Sequence, residues 1–353
     1  MARKSGDGRG SCSREAVSCR VRRLMQGWAA GLILLLVLAP VGARAQDSTS
    51  DVHVVPRNTT PANAVPGMNP ALRTHTKPVK VDVDLVLVPV TVTDPMNRLV
   101  TGLEKDNFEV WDGKQQEQIR HFSCEDAPIS LGVIFDHSGS MTDKIDKAKQ
   151  AVIEFFKTAN PQDEFFMVTF SDRPELVSDF TKSIDAIQGR MLYTIPKGAT
   201  ALLDAIYLGI DKMREARNSR KALLIISDGG DNRSRYTDSE IRDVVREADV
   251  QIYAIGIFEP NPPTPEEKYG PVLLDQITSE TGGRLFRIYD ANELEDVASK
   301  IGIELRNQYV LGYRPSSAPK DGKWHKIKVR LLPPKGLPPL HVYAKTGYYA
   351  PSQ

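Results

Sequence analysis

Cysteine is nearly absent, with three in 353 residues. Two of them, Cys12 and Cys19, sit in the first twenty positions, so the rest of the chain keeps only Cys124. No disulfide can form within that remainder, and its stability has to come from packing. An excess of either charge is also lacking: 46 Lys and Arg face 45 Asp and Glu. The basic footprint of a nucleic-acid binder is therefore missing. Long apolar runs are scarce too, and the longest, 28–41, is shorter than the roughly 20 residues a spanning helix needs. Glycine-rich nucleotide loops and a Gly-x-Ser-x-Gly nucleophile elbow are absent, which argues against the commonest catalytic frameworks. What is present is ordinary globular composition, 41% hydrophobic and 26% charged, enough to bury a core.

The first 45 residues stand apart. Arg3, Lys4, Arg9, Arg14, Arg20, Arg22 and Arg23 precede the apolar run, and Pro40 and Gly42 lead into Ala43-Arg44-Ala45. A basic stretch, a short apolar stretch and a small-x-small tripeptide form a secretory signal, with cleavage expected between Ala45 and Gln46. The expected product is exported, periplasmic or secreted, and has no transmembrane segment. Eight basic and two acidic residues leave with the signal, so 38 basic face 43 acidic ones, a net charge of −5. Residues 46–78, with prolines at 56, 61, 66, 70 and 78, read as a disordered linker.

From 79 the pattern alternates. Val81, Val83, Leu85 and Leu87 recur at period two and continue into Val90 and Val92, and shorter strand-like pieces follow near 98–100, 108–111 and 119–122. Residues 79–127 are thus expected to be an N-terminal β segment. Beyond Pro128 short apolar runs alternate with amphipathic helices. Strands are expected at 129–135, 165–170, 176–180, 222–226, 250–257 and 285–288. Helices are expected after the first strand and at 201–215, 239–248 with Asp238 as its cap, 272–280 and 292–305. This alternation predicts a doubly wound α/β domain over 128–305, with a mostly parallel six-stranded sheet covered on both faces. After 305 the pattern returns to β, and 306–353 is expected to pair with 79–127. The α/β domain would then be inserted between the halves of a β-sandwich, because neither half alone has much apolar surface to bury.

Ligands of doubly wound folds bind at the carboxyl ends of strands. Asp136-His137-Ser138-Gly139-Ser140 follows the first strand and offers a carboxylate and two hydroxyls on alternate residues. Thr200 precedes a helix, and Asp228, followed by Gly229 and Gly230, ends a later strand. Two carboxylates and three hydroxyls, Asp136, Ser138, Ser140, Thr200 and Asp228, are hard oxygen donors suited to Mg²⁺, with Mn²⁺ or Ca²⁺ as other candidates. So few protein charges leave such an ion electrophilic, and a partner's carboxylate could complete its octahedron.

These residues resemble the metal-ion-dependent adhesion site of von Willebrand factor type A domains, in Asp136 to Met141, Gly198-Ala199-Thr200 and Ser227-Asp228-Gly229. The resemblance covers about 129–303. The flanks, with Val90-Thr91-Val92-Thr93-Asp94, Tyr309-Val310-Leu311-Gly312-Tyr313 and Gly347-Tyr348-Tyr349, resemble the exported von Willebrand factor A-related family known from Acidobacteria. The resemblance implies that Ser138 and Ser140 coordinate metal directly. Asp136 and Asp228 would act directly or through water, and Thr200 directly when a ligand is bound. It also implies a last helix, 292–305, that moves with ligation.

The expected function is an exported, metal-dependent binding or adhesion protein that ligates an acidic partner. The alternative is an envelope scaffold in which the metal only stabilises. Asp136, His137 and Ser138 share one loop and cannot form a triad, which needs its base to face the nucleophile across space. The chain therefore reads as a non-enzyme. Around the site, 258–271 reads as the longest loop, carrying Glu259, Glu266 and Glu267 and serving either to set the partner or as a tolerated surface insertion. The segment expected to meet an acidic partner is 231–236, with Arg233, Arg235 and Tyr236.

Overall fold

A computed structural model describes residues 85–317 and 320–352. The expected signal 1–45, the linker 46–78 and the start of the β segment, 79–84, lie outside the described residues. The period-two run appears in part as β1 (Val86–Thr93): Val88, Val90 and Val92 are fully buried, whereas Leu87 points to the other face and is exposed. At its end Asp94 Oδ1 accepts hydrogen bonds from the backbone N–H of Met96 (2.8 Å) and Arg98 (2.9 Å). That local turn competes with strand pairing. The strand expected at 98–100 accordingly shrinks to one bridge between Thr93 and Leu99. Then come β2 (Phe108–Asp112), β3 (Gln115–Glu117) and β4 (Ile119–Ser123). β2 and β3 form a hairpin turning at Gly113.

The α/β layer runs β5 (Ile129–Asp136), α1 (Ile145–Lys157), β6 (Glu164–Phe170), β7 (Pro174–Thr181), α2 (Ile184–Met191), α3 (Leu202–Met213), β8 (Arg220–Ser227), α4 (Asp238–Glu247), β9 (Gln251–Ile257), α5 (Pro265–Glu280), β10 (Leu285–Ile288) and α6 (Leu294–Arg306). Its six strands lie in the order β10-β9-β8-β5-β6-β7, all parallel except β7. Every residue of β5, β6 and β9 is buried, as strands covered on both faces require. Side chains from α1, α2 and α6 fill one core beneath the sheet, and those of α3, α4 and α5 fill another above it.

One helix and two helix boundaries differ from expectation. Between β7 and α3 the chain forms α2, an eight-residue helix that buries only Ile187 and Met191. α4 is capped by Thr237, not Asp238, in a reciprocal box with Glu240. α5 starts at Pro265 instead of 272, with Thr264 as cap and Pro271 inside the helix. Proline reads as a boundary in a sequence because it removes a backbone donor, yet here the helix runs through it.

Beyond α6 come β11 (Tyr309–Tyr313), β12 (Trp324–Leu331), β13 (His341–Ala344) and β14 (Gly347–Tyr349). They join the early strands in two four-stranded sheets, β13-β1-β11-β4 and β14-β12-β2-β3. Each sheet mixes strands from before and after the α/β layer, and one shared core, including Val90, Phe108, Tyr309, Leu311 and Ile327, lies between them. The α/β layer is thus inserted into a sandwich.

The two parts meet at a buried polar joint. Gln308 Nε2 lies 2.9 Å from Gln251 Oε1, 3.1 Å from Thr91 Oγ1 and 3.2 Å from Tyr253 Oη. Nearby, Arg284 makes a double hydrogen bond to the carboxylate of Glu304 on α6, and both side chains are almost wholly buried. Arg306 pairs likewise with buried Asp163. Among the described residues no helix is long and apolar enough to cross a membrane.

Candidate functional site

The strand order reverses at β5, which leads through α1 to β6 on one side while β8 lies on the other. Ligands of doubly wound sheets collect at such a reversal. Phe135 of β5 pairs with Ile226 of β8, so Asp136 and Asp228 leave adjacent strands at one end of the sheet. Asp136 is fully buried. Its Oδ1 accepts from the Ser138 N–H (2.8 Å) and its Oδ2 from the Ser227 hydroxyl (2.6 Å). Ser138 is buried, with Oγ 3.1 Å from Oγ of exposed Ser140, which lies in the 3-10 turn Gly139–Met141.

Asp228 is only 5% exposed, and its Oδ2 has neither a hydrogen-bond partner nor solvent. Buried polar atoms are nearly always paired, so an orphaned carboxylate oxygen calls for a physical account. The Asp136 carboxyl is pushed up to about 7, first by burial and then by the charge of Asp228. Two buried acids facing each other repel unless a proton or a cation sits between them. Among the described residues no group of three or more His, Cys, Asp or Glu side chains is placed to hold a metal. The donors here are of another kind, two carboxylates with three hydroxyls, and this all-oxygen set together with the orphaned atom fits a small hard cation.

Thr200 is buried on a loop that is bonded to the Ser138–Ser140 turn on one side and to the 231–236 segment on the other. Gly139 N–H donates to Gly198 C=O (3.0 Å), and the Asn232 and Arg233 N–H groups donate to Thr200 C=O (3.1 Å each). Gly198 has φ 81°, and a Cβ there would meet Asp172 Oδ2 at 2.5 Å. The closeness is useful, since Asp172 Oδ1 accepts from Ala199 N–H (2.9 Å) and holds the turn that presents Thr200. Asp231 Oδ2 accepts from Leu203 N–H at the start of α3 (2.8 Å). Asp204 Oδ1 in turn accepts from the N–H groups of Arg235 (2.8 Å) and Tyr236 (3.2 Å). The 231–236 segment is therefore clamped by its backbone to α3. The Arg235 side chain is exposed, with Nε 3.5 Å from Asp204 Oδ2, and Tyr236 stacks on Tyr207. His137 is half-buried, and burial holds its imidazole below the usual range.

The acids Glu266 and Glu267, expected in the 258–271 loop, lie instead in the first turn of α5 and form a wall beside the site. Gly229 (φ 80°) touches Gly270 so closely that a Cβ on it would meet the Gly270 Cα at 2.9 Å. This contact seats the first turn of α5 beside the site, and Glu267 Cγ lies 3.2 Å from where a Cβ on Gly230 would be. The Glu267 carboxyl is raised by burial and then by Asp228, and neighbouring Glu259 pairs with Lys144 (3.4 Å). The signal was legible in Thr264-Pro265-Glu266-Glu267: a cap residue, proline at the first helical position and acids in the first turn.

Residues 132–230 match the family model of the von Willebrand factor type A domain. Inter alpha-trypsin inhibitor, heavy chain 4, of Mus musculus is 25% identical over 234 residues, 60% of this chain and 24% of that protein. The alignment thus spans about a quarter of the curated relative's length. Among solved structures, a von Willebrand factor type A protein from Catenulispora acidiphila is 13% identical with a TM-score of 0.45, over 68% of this chain and 72% of that one. The PilB minor pilin from Streptococcus sanguinis is 15% identical with a TM-score of 0.43, over 52% of this chain and 62% of that one. Over residues 132–230 the chain therefore carries a von Willebrand factor type A domain.

Proposed function

We propose that this is an exported Mg²⁺-dependent binding protein, which holds the ion with Asp136, Ser138, Ser140, Thr200 and Asp228 and uses it to ligate an acidic group of a partner. The observation that carries the reading is the buried, unpartnered Oδ2 of Asp228 beside the buried carboxylate of Asp136. When bound, Mg²⁺ supplies a Lewis-acidic position that a carboxylate can occupy in place of water. The chain's own groups set the conditions for that. Asp136 is oriented by Ser138 N–H and Ser227, Ser140 stands exposed at the mouth, and the loop of Thr200 is fixed by Asp172 and Asn232. The signal-like residues 1–45 support export, and N-terminal sequencing of the protein recovered from medium and envelope tests it. Mn²⁺ or Ca²⁺ could take the same oxygen donors.

The test loads the full chain with Mn²⁺ and follows the methyl proton relaxation of added acetate. Relaxation that is present in the parent protein and lost in Asp136→Ala supports ligation of an outside carboxylate. Metal binding without acetate relaxation would leave only a stabilising ion in an envelope scaffold. No metal binding by calorimetry would remove both readings.

A further inference from the structure

Beside the site lies a short apolar surface. Leu192, Tyr193 and Ile195 are 73%, 85% and 70% exposed, three large apolar side chains within four residues. Single exposed apolar residues are common, whereas a contiguous group marks an interaction surface. The segment is fixed to the turn that carries Ser138 and Ser140. His137 Nδ1 lies 3.2 Å from Ile195 C=O, Lys197 N–H donates to His137 C=O (2.9 Å), and Gly139 N–H donates to Gly198 C=O (3.0 Å). Behind it, Lys149 Nζ donates to Thr194 C=O (3.0 Å), and Met191 is anchored in the core. The opposite flank carries Glu259 and Glu267. The rim is thus apolar on one side of the ion site and acidic on the other.

Building on the proposed function, we infer that 192–195 is the specificity surface of the ion site. It selects a peptide segment whose carboxylate is followed or preceded, within a few residues, by a large apolar side chain that covers Tyr193 and Ile195. A second acid on the partner is disfavoured at the α5 flank, where like charges would meet. Covering one large apolar side chain corresponds to about a tenfold gain in affinity or more.

The experiment selects random peptides displayed on phage with the immobilised full chain in Mg²⁺, eluting with chelator. The parent protein is expected to enrich Asp or Glu together with nearby Leu, Ile, Phe or Tyr. The triple variant Leu192→Ser, Tyr193→Ser, Ile195→Ser should keep the acidic preference and lose the apolar one. It should also bind the parent's selected peptides about tenfold more weakly or worse. Because these side chains are exposed, thermal melting should be unchanged, and Tyr193→Ser alone provides a milder second variant. Acidic enrichment with no apolar preference, or an apolar preference that survives in the triple variant, overturns this inference and leaves the proposed function standing. Absence of acidic enrichment removes the proposed function and this inference with it. A Mg²⁺-independent dimer that sedimentation shows for the parent but not for the triple variant would assign the surface to a second copy and overturn the inference too.

Discussion

Replacing Asp136 with Asn separates the cost of the site from its use. In metal-free protein the Asp136 carboxyl, ordinarily at 3.8, is pushed up to about 7 by burial and by Asp228. The folded state therefore holds a proton there that the unfolded chain has already released. Stability falls as pH rises wherever the native state binds more protons, so this group's penalty grows from about pH 4 to about 7 and is constant above. At ~1.4 kcal/mol per tenfold difference the full penalty is about 4 kcal/mol. Asn is neutral and keeps most contacts: Oδ1 still accepts from Ser138 N–H, and Nδ2 can donate to the Ser227 oxygen. Ser227 already accepts from Gly229 N–H (3.0 Å), so its hydroxyl proton loses an acceptor, at about 1 kcal/mol. Urea denaturation in chelator at pH 8 should find Asp136→Asn more stable than the parent by about 1–3 kcal/mol, shrinking toward zero or below near pH 5. In Mg²⁺ the order should reverse, because only the parent gains the binding free energy of the ion. An Asn variant no more stable than the parent in chelator at pH 8, or one that gains as much from Mg²⁺, would refute the reasoning.

Other consequences follow from the buried polar groups and close contacts. Glu304→Ala leaves Arg284 buried without its partner and should cost about 3–5 kcal/mol in urea denaturation. Gln308→Ala removes the side chain shared by Gln251, Thr91 and Tyr253, and should cost about 1–3 kcal/mol by the same assay. Gly283→Ala would place a Cβ 1.9 Å from the Ile252 carbonyl oxygen. It should lower stability by about 1–3 kcal/mol or more, seen as a lower melting temperature, since rigid backbone must move.

What could be read beforehand depended on how local its cause was. β5 and β8 were visible because unbroken apolar runs have no other use in a chain of this composition. Asp136, Ser138, Ser140, Thr200 and Asp228 stood out because each follows a strand or precedes a helix. α2 was missed because a short helix burying two residues leaves too weak a periodicity. The start of α5 was missed because Pro271 was taken as its boundary, so Glu267 was read as part of a loop and not of a helix. The 192–195 surface carries no pattern at all, since its significance lies in the hydrogen bonds from His137 and Lys197. The alternation of β1 announced a strand, but its pairing with β11 and β13 depends on contacts more than two hundred residues away.

That pairing orders events during folding. β1 cannot find β11 until the intervening α/β layer has been synthesised, and closing so long a loop as a random chain is slow. Once the layer has folded, β5 begins and α6 ends on the same side of it, where Arg220 donates to both Leu305 C=O and Gln308 Oε1. The two sandwich halves are then delivered to each other across a short gap. The α/β domain thus serves as the template for its own frame, and a lesion that slows its folding should appear first as unpaired β1 and β12 edges open to aggregation.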